Sequence, residues 1–424
     1  MSKDATSAPD LLAPASATPS AASHGYLLNL FRTRPGWTRQ QLLEVTGVSR
    51  TTLYDRLDTL FQAGLIYSAG SVPPPGGAGA RGRRSELLRF DDRGKIVLVL
   101  DLGQTSARVC VVDVHGQILR MSEHRLAINT APAAYFDTVF EHAHQLVDGR
   151  TGESLVGVAL GIPGPVDSAT GVLGRSTTMP LWQSFPVMEA IREHWQAPVV
   201  IENDARALAI GEASVEALGT SVLAVKYSTG IGAGIVVDGR VLVGSDGAAG
   251  DIGHIRLHSD GPPCTCGRRG CLAAYASGDA LVRTLAHAGV QNLGDVVDRA
   301  QSGDPEVREA LREAVSRLSR VLASIITAIN PDVLVVGGSL GRLRAVVEQI
   351  DEQVHADVVD RAVQRLQVTG ARLGDRGTTT GLARRLVDLV YAPHAVDLAV
   401  ARRSDPGSGV VNRASEVAST PEPA

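Results

Sequence analysis

The sequence predicts an α/β protein of two related lobes, with a small winged helix-turn-helix domain in front. Three observations lead there. Two apolar strand–turn–strand units, residues 96–113 and 222–238, are built alike although far apart in the chain. Their apolar runs are continuous rather than alternating, as in strands covered on both faces. Charge is also uneven. Residues 24–90 hold nine arginines against four acids, a net of +5, while the whole 424-residue chain is −4, so the remainder carries −9. A basic head on an acidic body suggests a polyanion-binding module attached to something else.

Residues 1–23 are mostly Ala, Ser, Pro and Thr, the composition of a disordered tail and not of an apolar secretory leader. The head is expected over 24–90. Tyr26, Leu27, Leu30 and Phe31 recur at helical spacing and end at Arg34-Pro35-Gly36. Thr38 caps a second short helix bearing Leu42, Leu43 and Val45, and Thr46-Gly47-Val48 makes a tight turn. Ser49 caps a third helix with Leu53, Leu57, Leu60 and Phe61 on its buried face. Three helices with a glycine turn before the last form a helix-turn-helix. Ser49, Arg50, Thr51, Thr52, Tyr54 and Arg56 then stand at the start of the recognition helix, where major-groove contacts are made. Two strands follow, at 64–67 and 86–90, on either side of a Pro/Gly-rich segment that is either a linker or the tip of a wing. Arg81, Arg83 and Arg84 at its base suit phosphate or minor-groove contact with a double-stranded DNA operator. The alternative is a small helical domain with a solvated basic face.

The body is expected over 91–395, with a disordered tail over 396–424. A long helix near 305–329 precedes an apolar strand, 333–336, that runs into Gly337-Gly338-Ser339. Small-residue turns at strand ends let phosphate approach backbone N–H groups. Glu202-Asn203-Asp204-Ala205-Arg206 follows a strand at 199–201 and opens a helix expected to run over 205–218. An Asn-Asp pair there is placed to bind a polyol, and the Asp to act as general base; helix capping is the plainer role.

Three of the four cysteines form Cys264-Thr-Cys266-Gly-Arg-Arg-Gly-Cys271, with His254 ten residues upstream. One histidine and three cysteines are a full tetrahedral set for structural Zn2+. His258 is an alternative nitrogen ligand. Four cysteines in this length are too few for a disulfide scaffold, and no run of about eighteen apolar residues exists to span a membrane. A reducing cytoplasm is expected.

From Ile96 to about Tyr391 the chain resembles the ROK family, sugar kinases and sugar-responsive repressors of the actin-like ATPase fold. The motifs are Asp101-Leu102-Gly103-Gln104-Thr105, Gly161-Ile162-Pro163-Gly164, Glu202-Asn203-Asp204-Ala205, Thr229-Gly230-Ile231-Gly232-Ala233-Gly234, Asp251-Ile252-Gly253-His254 and the cysteine cluster. The resemblance implies Asp204 as catalytic base in a kinase. It implies Asn203, Asp204, Asp251, His254 and Thr178 about a sugar, with His254, Cys264, Cys266 and Cys271 as metal ligands. Gly103, Thr105, Thr229, Gly230, Gly337 and Gly338 would hold ATP and Mg2+ if the protein were a kinase.

Several positions depart from the kinase pattern. Gln104 replaces the second glycine of Asp-x-Gly-Gly-Thr, Thr178 an asparagine, Asp251 a glutamate, and Ala273 the glutamate after Cys271-Leu272. A changed pocket with the head retained predicts a transcriptional regulator, a repressor, that senses a sugar or phosphorylated sugar. It would act as a homodimer or tetramer. An ATP-dependent hexose or amino-sugar kinase is the alternative.

Overall fold

The computed structural model describes residues 20, 23–73, 84–149, 152–167, 171–174, 179–183, 185–215 and 219–404. Most of the amino-terminal tail, Arg81, Arg83, Thr178 and the chain beyond 404 lie outside them. The chain divides into two units, 1–92 with 389–424, and 93–388.

The first unit opens with α1 (His24–Thr33), capped by the Ser23 hydroxyl, which accepts from the Tyr26 amide at 3.1 Å. Its buried stripe is Leu27, Leu28 and Phe31, rotated away from the expected Tyr26 and Leu30, which are only half-buried. In α2 (Arg39–Thr46) a capping box forms: Thr38 accepts from the Gln41 amide, and the Gln41 side chain accepts from the Thr38 amide. Gly47 ends it at φ 66°, a left-handed conformation that a side chain would strain. The Ser49 hydroxyl then accepts from the Thr52 amide at 3.1 Å and starts α3 (Arg50–Gln62). Leu53, Leu57 and Leu60 are fully buried, whereas Phe61 is half-buried and Val45 is 51% exposed, so the core is narrower than the sequence stripes suggest. Strands β1 (Ile66–Val72) and β2 (Ser85–Phe90) pair antiparallel, Ile66 opposite Phe90.

The second unit repeats one plan twice. First come β3 (Lys95–Leu102), β4 (Ala107–Asp113), β5 (Ile118–His124), α4 (Pro132–Val147), β6 (Ser154–Ile162), α5 (Val187–His194) and β7 (Val199–Asn203). The helix α6 (Asp204–Glu212) links this half to the next, β8 (Ser221–Tyr227), β9 (Ile231–Val237) and β10 (Arg240–Val241). Helices α7 (Leu272–Ala276), α8 (Gly278–Thr284), α9 (Leu293–Ser302) and α10 (Pro305–Ile329) follow, then β11 (Val333–Gly337) and α11 (Gly338–Gly341). The unit closes with α12 (Arg344–Asp357), α13 (Asp360–Val363), β12 (Gln367–Gly370) and α14 (Gly377–Val390).

One sheet is ordered β5-β4-β3-β6-β7 and the other β10-β9-β8-β11-β12. In each, the first strand pairs antiparallel with the second and parallel with the fourth. The expected likeness of the two lobes is therefore one of topology as well as of turns. Seven of the eight residues of β3 are buried, as are four of the five that β7 contributes, which explains the unbroken apolar runs. Where a helix over 205–218 was expected, α6 spans Asp204–Glu212, and a turn follows it.

A correction concerns the far end. The expected tail from 396 begins instead as α15 (Pro393–Ser404), which belongs with the first unit. Ala395, Val396 and Val400 are buried, the Gly25 amide donates to Asp397 at 2.9 Å, and Tyr391 meets Phe90 edge-on at 5.2 Å. A Cβ on Gly25 would lie 1.9 Å from the Pro393 carbonyl oxygen. The weak apolar periodicity of 393–404 hid this helix; its partner residues lie at the opposite end of the chain.

Candidate functional site

In the head, the sequence-selected residues separate into two groups. Arg50, Thr51 and Tyr54 are exposed on α3, and Arg39 stacks on the Tyr54 ring at 5.2 Å. Ser49 and Thr52 are occupied with each other, hydroxyl to hydroxyl at 2.9 Å, and so fix the start of the helix. Arg56 turns inward, 3.3 Å from His24 Nε2, and does not join the exposed face. Arg84 is exposed beside β2.

In the body, Asn203 is the cap of α6. Its Oδ1 accepts from the amides of Ala205 and Arg206 at 3.0 and 3.1 Å, and its Nδ2 donates to the Gly164 carbonyl at 3.1 Å. Capping thus belongs to Asn203 and not to Asp204. The Asp204 carboxylate, first residue of the helix, is held by the Lys226 ammonium at 2.7 Å. Lys226 comes from β8, so this ion pair joins the two halves of the unit. Burial works to lower the proton affinity of Lys226, but Asp204 and Asp101 outweigh it and leave it above the ordinary lysine value. Burial pushes the Asp101 carboxyl up, opposed by Lys226 and by Arg108, whose Nη1 lies 3.8 Å away.

The glycine turns converge near this pair. The Gly103 amide donates to the Ser106 carbonyl at 2.7 Å, closing the first turn, with Thr105 exposed at its tip. The second turn, Ser228 to Gly230 around Thr229, is tied to the third by Ser228 and Ser339 hydroxyls 3.2 Å apart. Gly338 has φ 84°, and a Cβ there would lie 2.5 Å from the Tyr227 carbonyl, so Gly337-Gly338 rests directly on the end of β8. The Gln104 amide nitrogen comes within 3.3 Å of where a Cβ on Gly230 would be. A side-chain amide thus stands at these turns where the kinase pattern has a glycine, and an ammonium is paired with Asp204; the amide crowds ATP phosphates and the ammonium disfavours Mg2+.

Arg206 escaped the sequence reading. It is 1% exposed and bonds Glu202 Oε1 at 2.6 Å, the Val166 carbonyl at 2.9 Å and the Gly247 carbonyl. It thereby ties the 161–166 loop and the segment leading to Asp251 to the base of α6. Only its place inside a motif marked it.

The donor atoms of His254, Cys264, Cys266 and Cys271 lie within 4.8 Å of one another. Cys264 Sγ is 3.6 Å from His254 Nδ1, and Cys266 Sγ is 3.6 Å from Cys271 Sγ, with no disulfide. Bonds of about 2.0–2.3 Å in a tetrahedron require donors spaced in that way. His258 is outside the group and packs edge-on to Tyr275. Asp251, three residues before His254, is exposed as a residue, yet desolvation pushes its carboxyl above the ordinary value against the pull of His254 and Arg206. Ala273 sits on α7 beside Gly253, which admits no side chain because a Cβ would lie 2.4 Å from the Ile231 carbonyl oxygen.

Like-ordered sheets, glycine turns at strand ends and a carboxylate at the head of α6 define a two-lobed protein of the actin-like ATPase class. The chain belongs to the ROK family, whose model matches residues 97–388. It is 26% identical over 357 residues to the xylose repressor of Bacillus spizizenii, covering 83% of this chain and 91% of that one. It is 30% identical over 262 residues to the glucokinase of Thermotoga maritima, covering 57% of this chain and 81% of the glucokinase. The fold matches a ROK family transcriptional regulator, a homolog of the E. coli MLC protein, with a TM-score of 0.73 at 23% identity; 90% of this chain and 99% of that one are covered. Among the described residues no helix is long and apolar enough to cross a membrane.

Proposed function

We propose that this protein is a DNA-binding transcriptional repressor controlled by a sugar or sugar derivative in the cleft beside Asp204. The observation that carries the reading is Lys226 on Asp204, in a body fused to a helix-turn-helix head. A general base must be free to take a proton from the substrate hydroxyl. Here one oxygen of that carboxylate is already held by an ammonium, which leaves the second to accept from a ligand hydroxyl. The repressor relatives, which align over most of this chain, support the same reading.

The head reads a two-fold operator through Arg50, Thr51, Thr52 and Tyr54, with Arg81, Arg83 and Arg84 on the phosphates or in the minor groove. Pairing of two copies in the cytoplasm supplies the symmetry. The sugar binds through Asp204, Asp251 and the remaining amide hydrogen of Asn203, together with Thr178 as the family pattern implies. It shifts operator affinity by its preference for one arrangement of the lobes. Zn2+ on His254, Cys264, Cys266 and Cys271 is structural and pins the loop that carries Asp251. The test is operator binding by fluorescence anisotropy across pentoses, hexoses, amino sugars and their phosphates. One of them releases the DNA; release by none, with DNA bound, contradicts sensing.

The glucokinase relatives support a second reading, sugar phosphorylation. In that case Asp204 is the base and Gly103, Thr105, Thr229, Gly230, Gly337 and Gly338 hold ATP. A coupled ADP assay over the same sugars separates the two.

A further inference from the structure

The cleft contains a cation of its own. Lys226 lies on β8 two residues before the Ser228 turn, its side chain 23% exposed and its ammonium 2.7 Å from Asp204 Oδ2. Asp101, nearly buried at the end of β3, acts on the same ammonium. Two carboxylates converging at the foot of phosphate-type turns are oxygen donors that a hard divalent cation takes, usually together with a nucleotide's phosphates. In this chain a lysine stands there.

We infer that the Lys226 ammonium replaces a divalent cation in this cleft, so that ligand binding is independent of metal and a metal–nucleotide complex is excluded. Three features converge on it. The ammonium neutralises Asp204 directly and contributes to neutralising Asp101, which Arg108 also faces at 3.8 Å while pairing with Glu123 at 3.4 Å, so both cleft carboxylates already have a cationic partner. The Gln104 side-chain amide lies beside the Gly230 turn, 3.3 Å from where a Cβ on Gly230 would stand, at a position where the kinase pattern has a glycine. The ion pair also links β8 to the start of α6, the connection between halves that a bridging metal–phosphate group would otherwise make. A second positive charge of +2 brought against the ammonium would be repelled strongly in so enclosed a place.

Lys226 is thus a specificity-determining residue that separates binding from phosphoryl transfer. The inference deepens the sensor reading and fails separately from it, because release of operator by a sugar does not depend on metal at Asp101.

Mn2+ alone is the probe, measured by electron paramagnetic resonance and calorimetry on the full chain, with metal on the cysteine cluster counted separately. Wild type and Asp101→Asn take up Mn2+ alike, showing no cleft-specific ion. Lys226→Ala gains one Mn2+ per chain, bound roughly tenfold tighter than any in wild type, and the gain disappears in the Lys226→Ala, Asp101→Asn double variant. A Mn2+ in wild type that Asp101→Asn abolishes overturns the inference, as does a folded Lys226→Ala protein that gains none. Should Lys226→Ala not fold, Lys226→Gln is read in the same way, since it keeps the length and removes the charge. Should neither fold, the comparison of wild type with Asp101→Asn decides alone.

Discussion

At the scale of single residues, the most consequential positions are those whose partners come from elsewhere in the chain. Arg206 and Glu202 are both buried, and Arg206 also satisfies two backbone carbonyls. Removing one member of a buried pair costs roughly 3–5 kcal/mol when the other charge is left uncompensated, and Arg385, 3.4 Å from the second Glu202 oxygen, reduces that cost here. Arg206→Met should lower the urea midpoint by a corresponding amount and loosen the 161–166 loop, measured by equilibrium unfolding and hydrogen exchange. Histidines set a pH dependence. His24 is held below the ordinary value by burial and by Arg56, against the pull of Asp397 and Asp55. His124 is likewise lowered by burial and by the stacked ring of His142, against Glu123. The unfolded chain takes these protons near pH 6.5, before the folded one does. Stability should therefore be lost as pH falls from about 6.5 toward the lower folded values. Urea midpoints at pH 7.5 and 5.5 check the sign, and no fall between them contradicts it.

At the scale of elements, local signals were legible and distant pairings were not. Thr38 and Ser49 as caps, the Gly47 turn, the strands β3, β4, β8 and β11, and the helix α10 follow from cap chemistry and periodicity, which act within a few residues. The cysteine loop was legible because its spacing alone implies a ligand set. Lys226, Arg206 and α15 were not, because each is defined by a partner that adjacent sequence does not reveal. Cys271→Ser should release the metal and destabilise the loop carrying Asp251, seen as lost zinc by elemental analysis and a lower thermal midpoint. Ser49→Ala should cost about 1 kcal/mol of head stability through the lost cap. Deleting 393–424 uncovers the face of α1 that α15 buries, and should weaken DNA binding in anisotropy titrations while sugar binding persists.

At the scale of the whole molecule, the two-lobed plan was readable from paired strand–turn–strand units, and the sheets bear it out in strand order and direction. The helix α6, which begins at the Asp204 site, is pressed against α14: a Cβ on Gly211 would lie 2.0 Å from the Gly377 carbonyl, and one on Gly381 1.8 Å from that of Ala207. The helix α14 ends at Val390 and so carries the chain across the boundary into the unit that holds the head. On the proposed reading, a sugar at Asp204 would act on a helix whose packing partner continues in the chain past residue 388.

The most direct test follows operator DNA and ADP in one sample, containing the full chain, Mg2+, ATP and each sugar in turn. A cleft that binds without transferring phosphate predicts that one sugar changes operator affinity by roughly 5–150-fold, the usual range of coupling between sites, while ADP stays at background. Sustained, sugar-dependent release of ADP that Asp204→Asn abolishes would contradict it.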